Sequence, residues 1–228
     1  MARAGYAKQS FLESLSEPER RALLEIGHRR RWQRGDVLVH AGDRADSAIV
    51  VLSGLVKIHK LAAEGADVLL ALCGPGDLLG EIGAVREAVR AASATAVDLV
   101  DAMVIPVRDL RSFLAAHPDT MLALLDLTLH RLYDSDERRI EFATAESLAR
   151  VSSRLVELAE RFGEPSQIGV IDVVLPVSQE ELASWSGSSR ESTARALRTL
   201  RGLGLIQTQR LRLRVVDLDG LRSHAARL

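Results

Sequence analysis

The pattern of apolar and polar positions changes character three times along the chain. Residues 10–27 read as a short helical lead-in, with Ser16-Glu17-Pro18-Glu19 as its start and proline in the first turn. From about residue 30 to 108 the texture is short apolar runs broken by turn residues. Val37-Leu38-Val39-His40 precedes Ala41-Gly42-Asp43. Ala48–Leu52 and Leu55–His59 flank Ser53-Gly54, which predicts a hairpin. Val68–Leu72, Ala94–Val100 and Ala102–Pro106 supply further strands. Many short strands at this spacing predict a barrel, sandwich or jelly roll.

After His117-Pro118 the period switches. Residues 118–146 contain no glycine and read as one helix. Leu122, Leu125, Leu129 and Leu132 repeat at 3-4-3 spacing, and the seam continues through Asp136 to Ile140 and Ala143. One narrow leucine stripe on a long helix predicts a dimer interface; the alternative is that it packs on the β region of its own chain. A carboxylate in that seam is costly unless something satisfies it. A second amphipathic helix spans 147–162, with Leu148, Val151, Leu155, Leu158 and Phe162 on one face and Gly163-Glu164-Pro165-Ser166 ending it.

The last segment carries two capping-box patterns, Ser178-x-x-Glu181 and Ser188-x-x-Glu191, separated by Trp185-Ser186-Gly187. Two short helices about a glycine turn make a helix-turn-helix. In the second helix Thr193, Leu197 and Leu200 share a face that can bury, while Glu191, Arg195 and Arg198 lie opposite. Two arginines and a glutamate on an exposed helix suit a major groove, where Arg bonds guanine bidentately and Glu accepts from cytosine. Gln207–Val216 reads as a hairpin wing, and the alternation of Arg210, Arg212 and Arg214 puts all three on one face toward phosphates.

Composition sharpens this division. The 228 residues carry a net charge of −1, which alone counts against nucleic acid. The charge is unevenly placed. Residues 186–228 hold nine arginines against three acids, a net +6, and the rest of the chain is net −7. No apolar run reaches membrane length, so no membrane partner is expected. The N-terminus lacks the apolar stretch of a secretory signal, which predicts a cytoplasmic protein. The single cysteine, Cys73, excludes an internal disulfide and a cysteine-clustered metal or iron–sulfur site. The six histidines show no H-x-H or H-E-x-x-H spacing, no nucleophile elbow is present, and neither an enzyme nor a metal is expected. Gly74–Gly80 is not a dinucleotide fingerprint, since its last glycine is one place late and it opens no helix.

Leu175–Ala183 followed by Ser188–Arg195 resembles the helix-turn-helix of the cyclic-AMP receptor protein (CRP/FNR) family of bacterial transcription regulators. Arg34-Gly35-Asp36-Val37-Leu38, Ala41-Gly42-Asp43, Val51–Lys57 and Pro75–Ile82 resemble that family's nucleotide-binding roll, and the order of parts matches over roughly residues 10–220. The implied fold is α+β: a cyclic-nucleotide-binding-type β-roll (jelly roll) sensor over 1–117, a dimerisation helix and hinge over 118–146, and a winged helix-turn-helix over 147–228. The implied function is an effector-responsive regulator that binds double-stranded DNA as a homodimer at a palindromic TGTGA-like operator. RNA polymerase is implied as a further partner. The resemblance assigns base reading to Arg190, Glu191 and Arg195, and phosphate contact to Ser178 and Ser189. The capping pattern gives Glu191 a second possible job.

The resemblance also gives a cyclic nucleotide, cyclic AMP or cyclic GMP, as the effector. It assigns its site to Gly80, Glu81, Ile82, Arg90 and Ala91, with Ser135 and Asp136 facing the base. The chemistry is apt: glycine admits backbone amides, Glu accepts from a ribose hydroxyl and Arg pairs with phosphate. Three departures stand out. The Glu81–Arg90 segment is one residue shorter than in the cyclic-AMP receptor itself, Ala91 stands where a hydroxyl residue usually holds phosphate, and Asp136 replaces a neutral hydroxyl. A carboxylate there suits guanine better than adenine. A haem- or redox-responsive relative, or one that binds no ligand, stays open beside the nucleotide reading. Cys73 alone reads as a small buried hydrophobe.

Overall fold

The computed structural model describes residues 10–62, 65–86, 89–167, 169–174, 177–209 and 212–226. Backbone contacts divide the chain into two units, one mainly of residues 8–133 and one mainly of residues 134–228.

The N-terminal unit opens with α1 (Glu17–Glu25), started by a Ser16–Glu19 capping box with Pro18 in the first turn. The strands β1 (His28–Trp32), β2 (Val37–Val39), β3 (Ser47–Ser53), β4 (Val56–Leu61), β5 (Asp67–Cys73) and β6 (Leu78–Leu79) follow. A one-turn helix α2 (Ile82–Val85) precedes β7 (Ser93–Ala96), β8 (Val100–Pro106) and α3 (Val107–Ala116). The strands form two four-stranded sheets, ordered β1-β8-β3-β6 and β2-β7-β4-β5.

The run Ala48-Ile49-Val50-Val51 is apolar without alternation because β3 is covered on both faces. Side chains alternate across a strand. Ile49 and Val51 therefore join Trp32, Val56, Ala94 and Val100 in one cluster. Ala48 and Val50 join Phe11, Leu23, Ile105, Leu110 and Phe113, from elements that include α1 and α3, in the other. Leu78 and Leu79 divide between the same two clusters.

The Ser53-Gly54 hairpin does not form. β3 and β4 lie in different sheets, so the dipeptide is a corner that carries the chain from one sheet to the other. Gly54 has φ +84°, and a Cβ there would strike the Leu99 carbonyl oxygen. The corner packs on the 97–99 turn through Val97 N–H to Leu55 O (2.8 Å) and Leu55 N–H to Asp98 Oδ1 (2.7 Å).

Helix α4 (Pro118–Thr144) is continuous over 27 residues. α5 (Ser147–Phe162) follows after Ala145-Glu146 and buries Val151, Leu155 and Leu158. The C-terminal unit continues with β9 (Gly163–Gln167), β10 (Val170–Val174), α6 (Gln179–Trp185), α7 (Arg190–Gly202), β11 (Ile206–Gln209), β12 (Arg212–Val215) and α8 (Leu218–Ala225). Its sheet runs β11-β12-β10-β9, so the expected wing is half of a four-stranded sheet. No helix of the described residues is long and apolar enough to cross a membrane.

Among the described residues the leucine seam is left largely uncovered. Leu122, Leu125, Leu129 and Leu132 are 62%, 52%, 43% and 57% exposed, and Met121, Tyr133 and Ile140 beside them are exposed too.

Candidate functional site

In the N-terminal unit, Gly80, Glu81 and Arg90 come together. The backbone of Arg90 is fixed by its N–H on Asp43 O (2.7 Å) and its carbonyl on Gly42 N–H (2.9 Å), which holds the strand-free 89–91 segment beside the 41–46 turn. Its side chain runs inward against Gly80. Gly80 has φ +76°, and a Cβ at that position would strike Nη1 of Arg90. Only glycine allows the guanidinium this approach. Arg90 is 7% exposed. Burial lowers its pKa, and the nearby Asp46, Glu81 and Asp43 carboxylates oppose that shift.

Glu81, also buried, accepts from Nη1 of Arg131 at 2.6 Å. Nη2 of the same arginine donates to Leu78 O at 2.6 Å. Burial pulls the Arg131 pKa down, but the Glu81 carboxylate, with smaller contributions from Cys73 and Asp77, raises it overall. Arg131 stands on α4, so the helix and the Glu81 carboxylate are one hydrogen-bonded unit. The sequence carried no local sign of this, because an arginine on the polar side of a helix reads as solvated. Ile82 begins α2 and is half-exposed, and Ala91 is exposed. Ser135 and Asp136 lie on the part of α4 grouped with the C-terminal unit. Both are exposed, and Asp136 Oδ1 is 3.6 Å from Arg139 Nη1. The costly carboxylate in the seam thus sits in solvent in this chain.

In the C-terminal unit, Ser178 caps α6 with its hydroxyl accepting from Glu181 N–H (3.1 Å), and Glu181 returns a bond from Ser178 N–H (2.7 Å). α7 starts one residue later than its capping pattern predicts. Ser189, not Ser188, is the cap, and accepts from Ser192 N–H at 3.1 Å. Glu191 is thereby released from capping; its carboxylate is exposed, 3.6 Å from Arg195. Thr193, Leu197 and Leu200 are buried, while Arg190, Glu191, Arg195 and Arg198 are exposed on the opposite side of α7. On β12, Arg212 and Arg214 share an exposed face. Arg214 is engaged, since it grips Asp172 of β10 at 2.7 and 3.1 Å and holds that carboxyl below its ordinary range. Arg210 lies outside the described residues.

A model of the cyclic nucleotide-binding domain matches residues 29–117, and one of the Crp-like helix-turn-helix domain matches residues 149–224. The CRP-like cAMP-activated global transcriptional regulator of Mycobacterium tuberculosis is 30% identical over 194 residues, 85% of this chain and 86% of that protein. The chain belongs to the CRP/FNR family of transcription regulators. The cyclic AMP receptor protein of Thermus thermophilus is 28% identical over 184 residues, 81% of this chain and 82% of that protein. Among solved structures, FixK2 from Bradyrhizobium japonicum covers 89% of this chain and 99% of its own, with a TM-score of 0.77 and 18% identity, a likeness of fold. A CRP-family transcriptional regulator from Thermus thermophilus covers 86% of this chain and 96% of its own, with a TM-score of 0.71 and 26% identity.

This CRP/FNR regulator joins α4 to its helix-turn-helix through charged groups that sequence reading missed. Arg150 of α5 donates to Ala145 O (2.8 Å) beyond the end of α4 and to Ser186 O (3.0 Å) and Gly187 O (3.1 Å) in the turn between α6 and α7. The Phe142 ring fills the space above Gly187, where a Cβ would come within 2.8 Å of it. Across the Ala145-Glu146 break, Arg154 bonds Glu141 (2.9 Å) and Glu157 (2.9 Å), and Arg138 reaches both Glu157 oxygens at 3.2 Å. The Arg138 and Arg154 guanidinium groups lie 5.9 and 5.6 Å from the Trp185 ring centroid. Glu141, Arg154 and Trp185 are buried, so each charge depends on its partners.

Proposed function

We propose that this regulator is an effector-responsive homodimer that binds a palindromic TGTGA-like operator, with a cyclic nucleotide as its effector. The observation that carries it is the Arg131–Glu81 bond. The carboxylate suited to a ribose hydroxyl is held by the long helix, so a ligand using Glu81 acts on α4 through one contact. The names of the M. tuberculosis and T. thermophilus relatives, both cyclic-AMP proteins, support the same ligand class.

In this reading Glu81 accepts from the ribose, Arg90 pairs with the cyclic phosphate, and Gly80 and Ile82 line the approach beside Ala91. The base-facing role of Ser135 and Asp136 rests on the family resemblance alone, and an Asp there favours cyclic GMP. The exposed leucines of α4 form the two-fold seam. Arg190, Glu191 and Arg195 read base edges, and Ser178 and Ser189 stand at phosphate-contacting positions. A two-fold dimer presents two such helices about 34 Å apart, one turn of B-DNA. The effector shifts the population of helix orientations through unequal affinity for the two states. RNA polymerase is the partner through which occupancy becomes transcription, in the cytoplasm. A second reading, a family member answering to another signal or to none, is favoured by Arg90 and Glu81 already having partners within the chain. Calorimetry with cyclic AMP, cyclic GMP and cyclic di-GMP separates the two. Saturable heat from one supports the nucleotide, and silence for all three overturns it.

A further inference from the structure

The buried guanidinium of Arg90 is held by one residue twice. Its Nη2 donates to the carbonyl oxygen of Ser47 at 2.7 Å and to the Ser47 hydroxyl at 3.0 Å. That hydroxyl donates its own proton to Asp46 Oδ1 at 3.0 Å. Asp46 is largely exposed and lies 3.9 Å from the same Nη2. The next residue after the arginine, Ala91, has no hydroxyl to offer.

We infer that Ser47, at the start of β3, is a phosphate residue of the effector site: it positions the Arg90 guanidinium and supplies the hydroxyl donor that position 91 lacks. The inference rests on the cyclic-nucleotide reading and adds a residue to it. Its chemistry is an exchange of acceptors. Without ligand the Ser47 proton goes to the Asp46 carboxylate. A phosphate oxygen drawn to Arg90 arrives within reach of the same hydroxyl and accepts its hydrogen bond in place of Asp46, while the exposed Asp46 side chain turns to solvent. No proton is gained or lost. The backbone carbonyl of Ser47 keeps its hold on Nη2 throughout, so the guanidinium stays aimed while the hydroxyl changes partner. Gly80, with no Cβ, leaves Nη1 of the same guanidinium the room it occupies. Hydrogen bonds to charged groups are strong enough for the loss of one to be read in affinity.

The test is calorimetric titration of the full-length protein with cyclic AMP and cyclic GMP, with the melting temperature of every variant recorded. Ser47→Ala is expected to weaken binding about tenfold. Ser47→Thr, which keeps the hydroxyl, stays within about twofold of the parent. Ser47→Ala/Ala91→Ser, which returns a hydroxyl at the residue after the arginine, recovers most of the loss. Ala91→Ser alone gains little, because the donor is already present, and this arm does not depend on the folding of Ser47→Ala. Parent-like affinity in Ser47→Ala overturns the inference and leaves the nucleotide reading standing. So does a tenfold gain from Ala91→Ser alone, or a loss in Ser47→Ala that Ala91→Ser fails to repair. A parent protein silent to both nucleotides overturns the inference and the reading beneath it together.

Discussion

Arg131 and Glu81, fifty residues apart, meet at 2.6 Å, and through that contact α4 holds the carboxylate that the effector is proposed to use. The two residues should have separable roles. Glu81→Gln removes the charged acceptor and should weaken effector binding at least about tenfold, since a charge-assisted hydrogen bond contributes about 1.5–3 kcal/mol. Arg131→Met keeps the carboxylate while cutting its link to α4. The effector should still bind Arg131→Met, but its influence on operator affinity should shrink. Calorimetry and operator titration on the same samples check both.

The exposed seam of α4 predicts a dimer that fails when charge enters it. Leu125→Glu/Leu129→Glu should give a folded monomer by analytical ultracentrifugation, with unchanged helix content by circular dichroism. Two carboxylates facing two others across a coiled-coil seam leave burial unfavourable. A dimer that survives would place the two-fold contact elsewhere.

The buried pair Glu141–Arg154 spans the break between α4 and α5. Glu141→Leu leaves Arg154 buried with one partner fewer and should cost about 3–5 kcal/mol of stability. The double variant Glu141→Leu/Arg154→Leu should cost clearly less than the two single changes combined, a coupling of about 0.5–3 kcal/mol. Chemical denaturation of the four proteins closes this cycle. Independent, additive losses would mean that the pair does not act as a unit.

On DNA, the two arginine classes should differ in kind. Arg190→Ala should lose about 1–3 kcal/mol on the TGTGA-like site and relax preference at one base pair. Arg212→Ala, on the exposed face of the wing, should weaken binding to all sequences alike and lower the salt slope by about one. Arg214→Ala should do less than Arg212→Ala, because Asp172 already holds Arg214. Fluorescence anisotropy across a salt series distinguishes the three.

The parts most legible in the sequence were those whose signals are local. The Ser16 and Ser178 caps, the glycine turn at Gly187 and the two faces of α7 follow from residues within a few positions of one another. Where the sequence reading failed, the deciding partner was distant. Strand β1, His-Arg-Arg-Arg-Trp, buries only its last residue, and its Arg29 and Arg31 are anchored by Asp101, about seventy positions on. Ser53-Gly54 has the chemistry of a hairpin, and only the 97–99 turn makes it a corner. β9 and β10 were missed because Pro165 and Gly163 read as a stop. At the start of α7 two adjacent serines present the same capping chemistry, and Ser189 is the one that caps. Of the candidate site, glycine, glutamate and arginine were legible as chemistry. Ser47 and Arg131 were not, since each gains meaning only from a side chain that the fold brings to it.

Occupancy of the proposed effector site around Glu81 and Arg90 is expected to be felt at α7. The most direct measurement is anisotropy titration of a fluorescent duplex carrying a palindromic TGTGA-like site, with and without saturating cyclic AMP or cyclic GMP. Operator affinity should change at least about fivefold with one nucleotide, within the usual range of allosteric coupling. The change should vanish in Arg90→Ala. Operator binding that is specific yet identical with and without nucleotide would contradict coupling between the site and α7.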